Sequence, residues 1–115
     1  MDDFTDAVVL SAREVSAGVL VVEVSGELDM ATTPVVEEYV LHRLDDVGRV
    51  LVLDLSDVTF FGSTGINLLI TLRGACESAG VRLRVVATTK AVLHPLELTD
   101  LIGHFTIVTA VSEAS

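Results

Sequence analysis

Tryptophan is absent from this sequence, tyrosine occurs once, and aromatic residues make up only 4% of it. A groove that stacks nucleic-acid bases needs aromatic platforms, so that class is disfavoured. Basic residues are scarce as well. Seven Lys+Arg stand against 17 Asp+Glu, for a formal net charge of −10. Phosphate backbones and anionic membrane surfaces both need positive charge, so neither is an expected partner. The single cysteine, Cys76, excludes an intramolecular disulfide and reads as a small core residue of a cytosolic protein. No apolar run approaches the roughly 18 residues of a membrane span. The start, Met1-Asp2-Asp3-Phe4, lacks a basic stretch followed by an apolar core, so the expectation is a cytoplasmic protein without a leader.

What is present is enough to fold. The 115 residues are 50% hydrophobic, which suits one domain with a real core and no need for disorder. Ala7 to Val15 and Gly18 to Val24 read as β-strands joined through Ser16-Ala17-Gly18. Thr33 then caps a helix whose first turn holds Pro34, Glu37 and Glu38. Val36, Val40 and Leu44 recur every four residues, which carries that helix to about Asp46, with Gly48 closing it. Arg49 to Leu55 reads as a strand buried on both faces. Gly62-Ser63-Thr64-Gly65 leads into a helix that Gly80 stops at about Ala79. Arg82 to Ala87 is a strand, Lys90 to Leu98 a helix capped by Thr89 and strained by Pro95, and Phe105 to Val108 a last strand. Val111 to Ser115 is left as a tail. The order β-β-α-β-α-β-α-β implies an α/β domain with a mostly parallel sheet of four to five strands and crossover helices.

Few residue sets here suit catalysis. His42, His94 and His104 lack metal-ligand spacing, and no cofactor motif is present. Phe61-Gly62-Ser63-Thr64-Gly65 resembles a nucleophile elbow, but that motif needs glycine at position 61. What remains is the hydroxyl pair Ser63 and Thr64 between Gly62 and Gly65. As a helix start, this place offers free N–H groups and the positive end of a dipole, which suit a phosphoryl group. The plainer role for Ser63 is an N-cap. The flanking glycines would let another protein approach the backbone closely. Asp54 reads first as a carboxylate that supports the loop through backbone bonds, and second as a partner contact.

On the helix after Ser63, Leu68, Leu69, Leu72, Cys76 and Ala79 make one apolar stripe headed by Gly65. Ile66 and Ile70 fall outside it, beside Arg73 and Glu77. Two readings stay open for them, an exposed apolar patch or a wide buried face. If exposed, a phosphate on Ser63 would oppose an apolar partner there.

At these residues the sequence resembles a known family. The run from Val52 to Ile66, V-L-D-L-S-D-V-T-F-F-G-S-T-G-I, is similar to the signature of bacterial anti-sigma factor antagonists, the STAS domains. Gly26-Glu27-Leu28-Asp29 resembles the family's G-E-L-D segment, and Val92, Leu96, Leu98, Leu101 and Phe105 resemble its C-terminal pattern. The resemblance implies a STAS-like domain over residues 1–110, with 111–115 as tail. It implies a non-enzymatic regulator of transcription that binds an anti-sigma factor, itself a Ser/Thr kinase, and frees a sigma factor. Ser63 would be the phosphorylated residue, with Thr64 a minor alternative, and a phosphatase would reverse the switch. Asp29, Met30, Thr32, Gly62, Thr64, Gly65, Ile66, Asn67 and Ile70 would form the partner surface. ATP would belong to the kinase, so no cofactor is expected, and a monomer or weak dimer would suffice. Gly62 stands where the family pattern usually has Asp, which removes a negative charge beside Ser63. That departure favours the alternative of a STAS scaffold, or a transport-associated subunit in a signalling or lipid-handling complex, that is never phosphorylated.

Overall fold

In a computed structural model that describes residues 8–114, one five-stranded sheet carries three helices. The strands are β1 (Val8–Ser16), β2 (Val19–Glu27), β3 (Val50–Phe60), β4 (Arg82–Val86) and β5 (Ile107–Val108). They lie in sequence order, with β1 antiparallel to β2 and every later pair parallel. The β1–β2 turn is tight because Gly18 takes a left-handed φ of 79°, which costs glycine little. The crossovers are α1 (Thr33–Leu41), α2 (Gly62–Ala79) and α3 (Lys90–Leu98). The expected order of elements is therefore observed. The acidic start Met1 to Phe4, the expected strand residue Ala7 and the tail residue Ser115 lie outside the described residues.

Alternation along β2 and β3 divides the core. Val22, Val24, Leu51, Leu53 and Leu55 face the helices and pack with Val36, Val40, Leu69, Leu72, Val92 and Leu96. Val19, Val21, Val50 and Val52 face the other way and are closed by Ala114. The first half of β3 is thus buried on both faces, as its apolar run implies. The expected tail carries a short 3-10 helix, Val111–Glu113, whose Val111 packs on this second cluster.

Several boundaries differ from expectation. The first helix starts after Thr32 rather than after Thr33, so Glu37 and Glu38 lie beyond its first turn. It ends at Leu41, and Leu44–Asp46 forms a separate 3-10 turn. The Arg43 N–H turns to the Val40 carbonyl three residues back, while its guanidinium stacks 3.4 Å over the Tyr39 ring. The third strand runs on to Phe60, because two register slips against β2 each insert one extra residue. Such bulges bend a strand end and re-aim the segment beyond it. The fifth strand is shorter than expected, and Ala79 is exposed rather than part of the buried stripe.

Candidate functional site

The carboxyl ends of β2 and β3 each feed a helix, and the two connections are stitched together. Leu28 donates its N–H to the Phe60 carbonyl at 2.8 Å. Thr64 donates its hydroxyl to the Leu28 carbonyl at 2.7 Å. The segment after β2 is organised by Asp29, whose Oδ1 accepts the N–H groups of Ala31 at 2.9 Å and Thr32 at 3.0 Å. Thr32 is 1% exposed. Its hydroxyl donates to the Glu27 carbonyl at 2.7 Å and accepts the Asp29 N–H at 2.9 Å. The Thr32 N–H, followed by that of Ala31 and the Thr32 hydroxyl, holds the Asp29 carboxyl below its usual range, against a smaller opposing effect of burial.

The segment after β3 is fixed by packing. Phe61 is 1% exposed and lies against Gly65 so closely that a Cβ there would sit 2.4 Å from ring Cδ1. Gly65 is glycine because the Phe61 ring occupies its side-chain space. Gly62 takes a φ of 58°, and a Cβ on it would meet the exposed Phe60 ring at 3.0 Å. These two contacts set the first turn of α2. Ser63 falls inside that turn, one residue past its start, and points into solvent. It is not the N-cap, which is Phe61.

The nine expected partner residues divide. Met30 is 83% exposed and Ile70 48% exposed, and Asn67 is open as well. With Thr33, Glu37, Thr64 and Thr71, Met30 and Asn67 line a shallow groove of about 220 Å³ between α1 and α2. Ser63 lies on the same turn. Asp29 is half-buried and Gly62 partly open. Three others are buried in the structure. Thr32 is a hub of hydrogen bonds. Gly65 is sealed under Phe61 and offers no approach to its backbone. Ile66 is 7% exposed and belongs to the main core cluster, so the two isoleucines separate into one core and one surface residue. Thr64, the second candidate acceptor, has its hydroxyl proton engaged by Leu28.

Asp54 also differs from expectation. It lies within β3, and its Oδ1 accepts the Ser56 N–H at 3.0 Å and the Ser56 hydroxyl at 2.6 Å. It braces the first bulge of the strand rather than a loop. Phe60, at 52% exposure beside the serine turn, is a surface residue that the sequence reasoning missed. The Phe60-Phe61 pair carried the signal, since neighbouring side chains of a strand point to opposite sides.

The longest strand of this one-sided α/β layer leads to an exposed serine. The chain belongs to the STAS domain family, whose model matches residues 11–114. Anti-sigma-F factor antagonist RsfB of Mycobacterium tuberculosis is 32% identical over 99 residues, covering 84% of this chain and 79% of the relative. The crystal structure of an anti-sigma factor antagonist from Mycobacterium paratuberculosis is similar with a TM-score of 0.83 at 32% identity, covering 94% of this chain and 91% of that one. The Bacillus cell fate determinant SpoIIAA in its phosphorylated form shares the fold, with a TM-score of 0.68 at 13% identity and coverage of 91% and 95%.

Proposed function

We propose that this protein is a cytoplasmic anti-sigma factor antagonist, switched at Ser63 by the Ser/Thr kinase activity of the anti-sigma factor it binds. The relatives' names support the first part. One observation carries the second: of the expected acceptor pair Ser63 and Thr64, Thr64 is bonded into the scaffold, as Thr32 is, while Ser63 is open to solvent.

The first N–H groups of a helix lack intrahelical partners, and the dipole end is positive. A phosphate on Ser63 is therefore accommodated locally, and the fold survives it. The same group adds about −1.5 to −2 charges to the first turn of the helix that carries Ile70 and borders the groove lined by Met30. A partner surface packed on those side chains would have to desolvate that charge. Binding then falls while folding does not, and a phosphatase restores it.

Gly62 supports a second reading, a STAS scaffold or transport-associated subunit without phosphorylation, because the charge that usually precedes the serine is missing. Incubation with candidate anti-sigma kinases and Mg-ATP, followed by intact-mass and peptide mass spectrometry, decides between them. The expected result is one phosphate on Ser63, none on Ser63→Ala, and weaker binding by Ser63→Glu than by wild type. A stable complex without phosphate, with Ser63→Glu binding as wild type does, would overturn the switch in favour of the scaffold.

A further inference from the structure

The opposite end of the sheet carries a feature that the serine surface does not use. The fifth strand pairs only with the last residues of β4, Val85 with Ile107 and Val86 with Val108. Before it, the chain turns through the 3-10 helix Ile102–His104 instead of continuing as strand. The first half of β4 is therefore an open edge. Along a strand, N–H and C=O groups of alternate residues point to the same side. The Val85 N–H reaches the Thr106 carbonyl on the β5 side, and the Arg82 N–H reaches the Arg49 carbonyl on the β3 side. The Leu83 N–H thus points out of the sheet, into a notch of about 250 Å³ that Arg73, Arg82, Arg84, His104 and Phe105 also line. Among the described residues it has no backbone acceptor, and the Leu83 carbonyl receives only the Arg84 guanidinium at 3.3 Å.

The charge at this notch is opposite to that of the molecule. Three of the seven basic residues line it, against one carboxylate, Glu77, in a protein of net charge −10. Glu77 is held by Arg73 at 3.6 Å. Among the described residues, neither Arg82 nor Arg84 has a carboxylate within 4.0 Å, although acidic residues outnumber basic ones 17 to 7. Arginines two apart on a strand share one face of the sheet and repel one another. Arg84 is also half-buried, its pairing capacity largely unused.

We infer that this notch is a docking site for an extended, carboxylate-rich segment of a partner protein, which adds to the sheet where β5 stops short. One residue of that segment accepts the Leu83 N–H and returns an N–H to the Leu83 carbonyl. Its flanking carboxylates meet Arg82 and Arg84 on one side and Arg73 on the other. The net negative charge elsewhere on the domain disfavours such a segment at other places. The site is remote from Ser63, so it would tether a partner whatever the state of the serine.

The test uses the full chain and an acetylated hexaglutamate peptide. Titration is followed by amide NMR shifts, and hydrogen exchange is measured at Leu83. The expected result is saturable shifts centred on residues 82–84 and exchange at Leu83 slowed by about tenfold or more. Arg82→Gln with Arg84→Gln should weaken binding by about tenfold with an unchanged melting temperature. A backbone N-methylated hexaglutamate should bind more weakly, because it cannot return the N–H. Equal binding of the methylated peptide, or of inorganic pyrophosphate with the same shifts, would overturn strand addition and leave a plain anion site. Absence of saturable shifts, or Leu83 already protected in the free protein, would overturn the site altogether.

Discussion

Alanine at Gly65 and at Gly74 should move stability in opposite directions, although both glycines lie in α2. In an exposed helix interior, Gly→Ala gains about 1 kcal/mol from backbone entropy. At Gly74 nothing lies within 4 Å of the added Cβ, so the gain should appear in full. At Gly65 the Cβ would sit 2.4 Å from Phe61 Cδ1 and 2.6 Å from Cγ, where carbon pairs prefer about 3.5–4.0 Å. The ring is 1% exposed and cannot swing into solvent. Overpacking of this kind costs about 1–3 kcal/mol, and the depth of this overlap places it at the upper end. Offset by the entropy gain, Gly65→Ala should lose about 2 kcal/mol. A chain of this length shifts by about 4 °C per kcal/mol. The expectation for Gly65→Ala is then a melting temperature lowered by about 8 °C, and for Gly74→Ala one raised by about 4 °C. Thermal unfolding by circular dichroism reads both. On a Phe61→Ala background, which removes the Cγ and Cδ1 that the new Cβ would meet, the Gly65→Ala penalty should disappear, a coupling that a double-mutant cycle isolates. If Gly65→Ala stabilises the protein as Gly74→Ala does, the ring yields freely. The claim that Phe61 fixes the serine turn is then wrong.

Ile66→Glu should lower the melting temperature strongly, because it buries a carboxylate without a partner at a cost of about 3 kcal/mol or more. Ile70→Glu should leave melting unchanged and weaken the complex with an anti-sigma kinase, as a binding titration would show; equal effects on melting would refute the separation of the two side chains. Gly62→Asp restores the family's charge but forces an L-residue to a φ of 58° against the Phe60 ring. A loss of about 1–2 kcal/mol is expected from the backbone alone, and an unchanged melting temperature would show that the turn has another conformation available. Asp29 is held below the ordinary carboxyl value of 3.8, so its carboxylate stabilises the fold above that pH. The contribution disappears as pH falls through the lowered folded value. The stability gap between wild type and Asp29→Asn should be present well above that ordinary value and close as pH falls below it, whereas a gap independent of pH would mean that shape rather than charge matters.

Much of the fold was legible because its signals are local. Apolar runs at Val50 to Leu53, four-residue spacing at Val36 and Val40, and glycine at position 80 each act within a turn or two. The expected strand stops at Leu55, where polar Ser56, Asp57 and Thr59 interrupt the apolar run, yet bulges carry the strand through them. The site was legible only as a segment. A helical wheel places Ile66 and Ile70 on one side, but it does not show that the first of them is drawn into the core and the second left open. The bond from Thr64 to Leu28 spans 36 residues, and no local pattern encodes it. Resemblance supplied the identity of the serine, and the hydrogen bonding of its neighbours supplies the reason it differs from them.

That difference would set Ser63 apart from Thr32 and Thr64 as an acceptor, because their hydroxyl protons are already committed. Thr32 commits its hydroxyl to the Glu27 carbonyl and Thr64 commits its own to Leu28. Modifying either would remove a bond that holds the two connections together, with a net loss of about 1 kcal/mol or more for each. A kinase acting there would have to open the scaffold first. Ser63 needs no such opening, since its turn is held from beneath by Phe61 on Gly65. The serine can therefore change its charge without changing the frame. This is the requirement for a switch read by a partner: the modification must alter the contact and leave the fold to be used again.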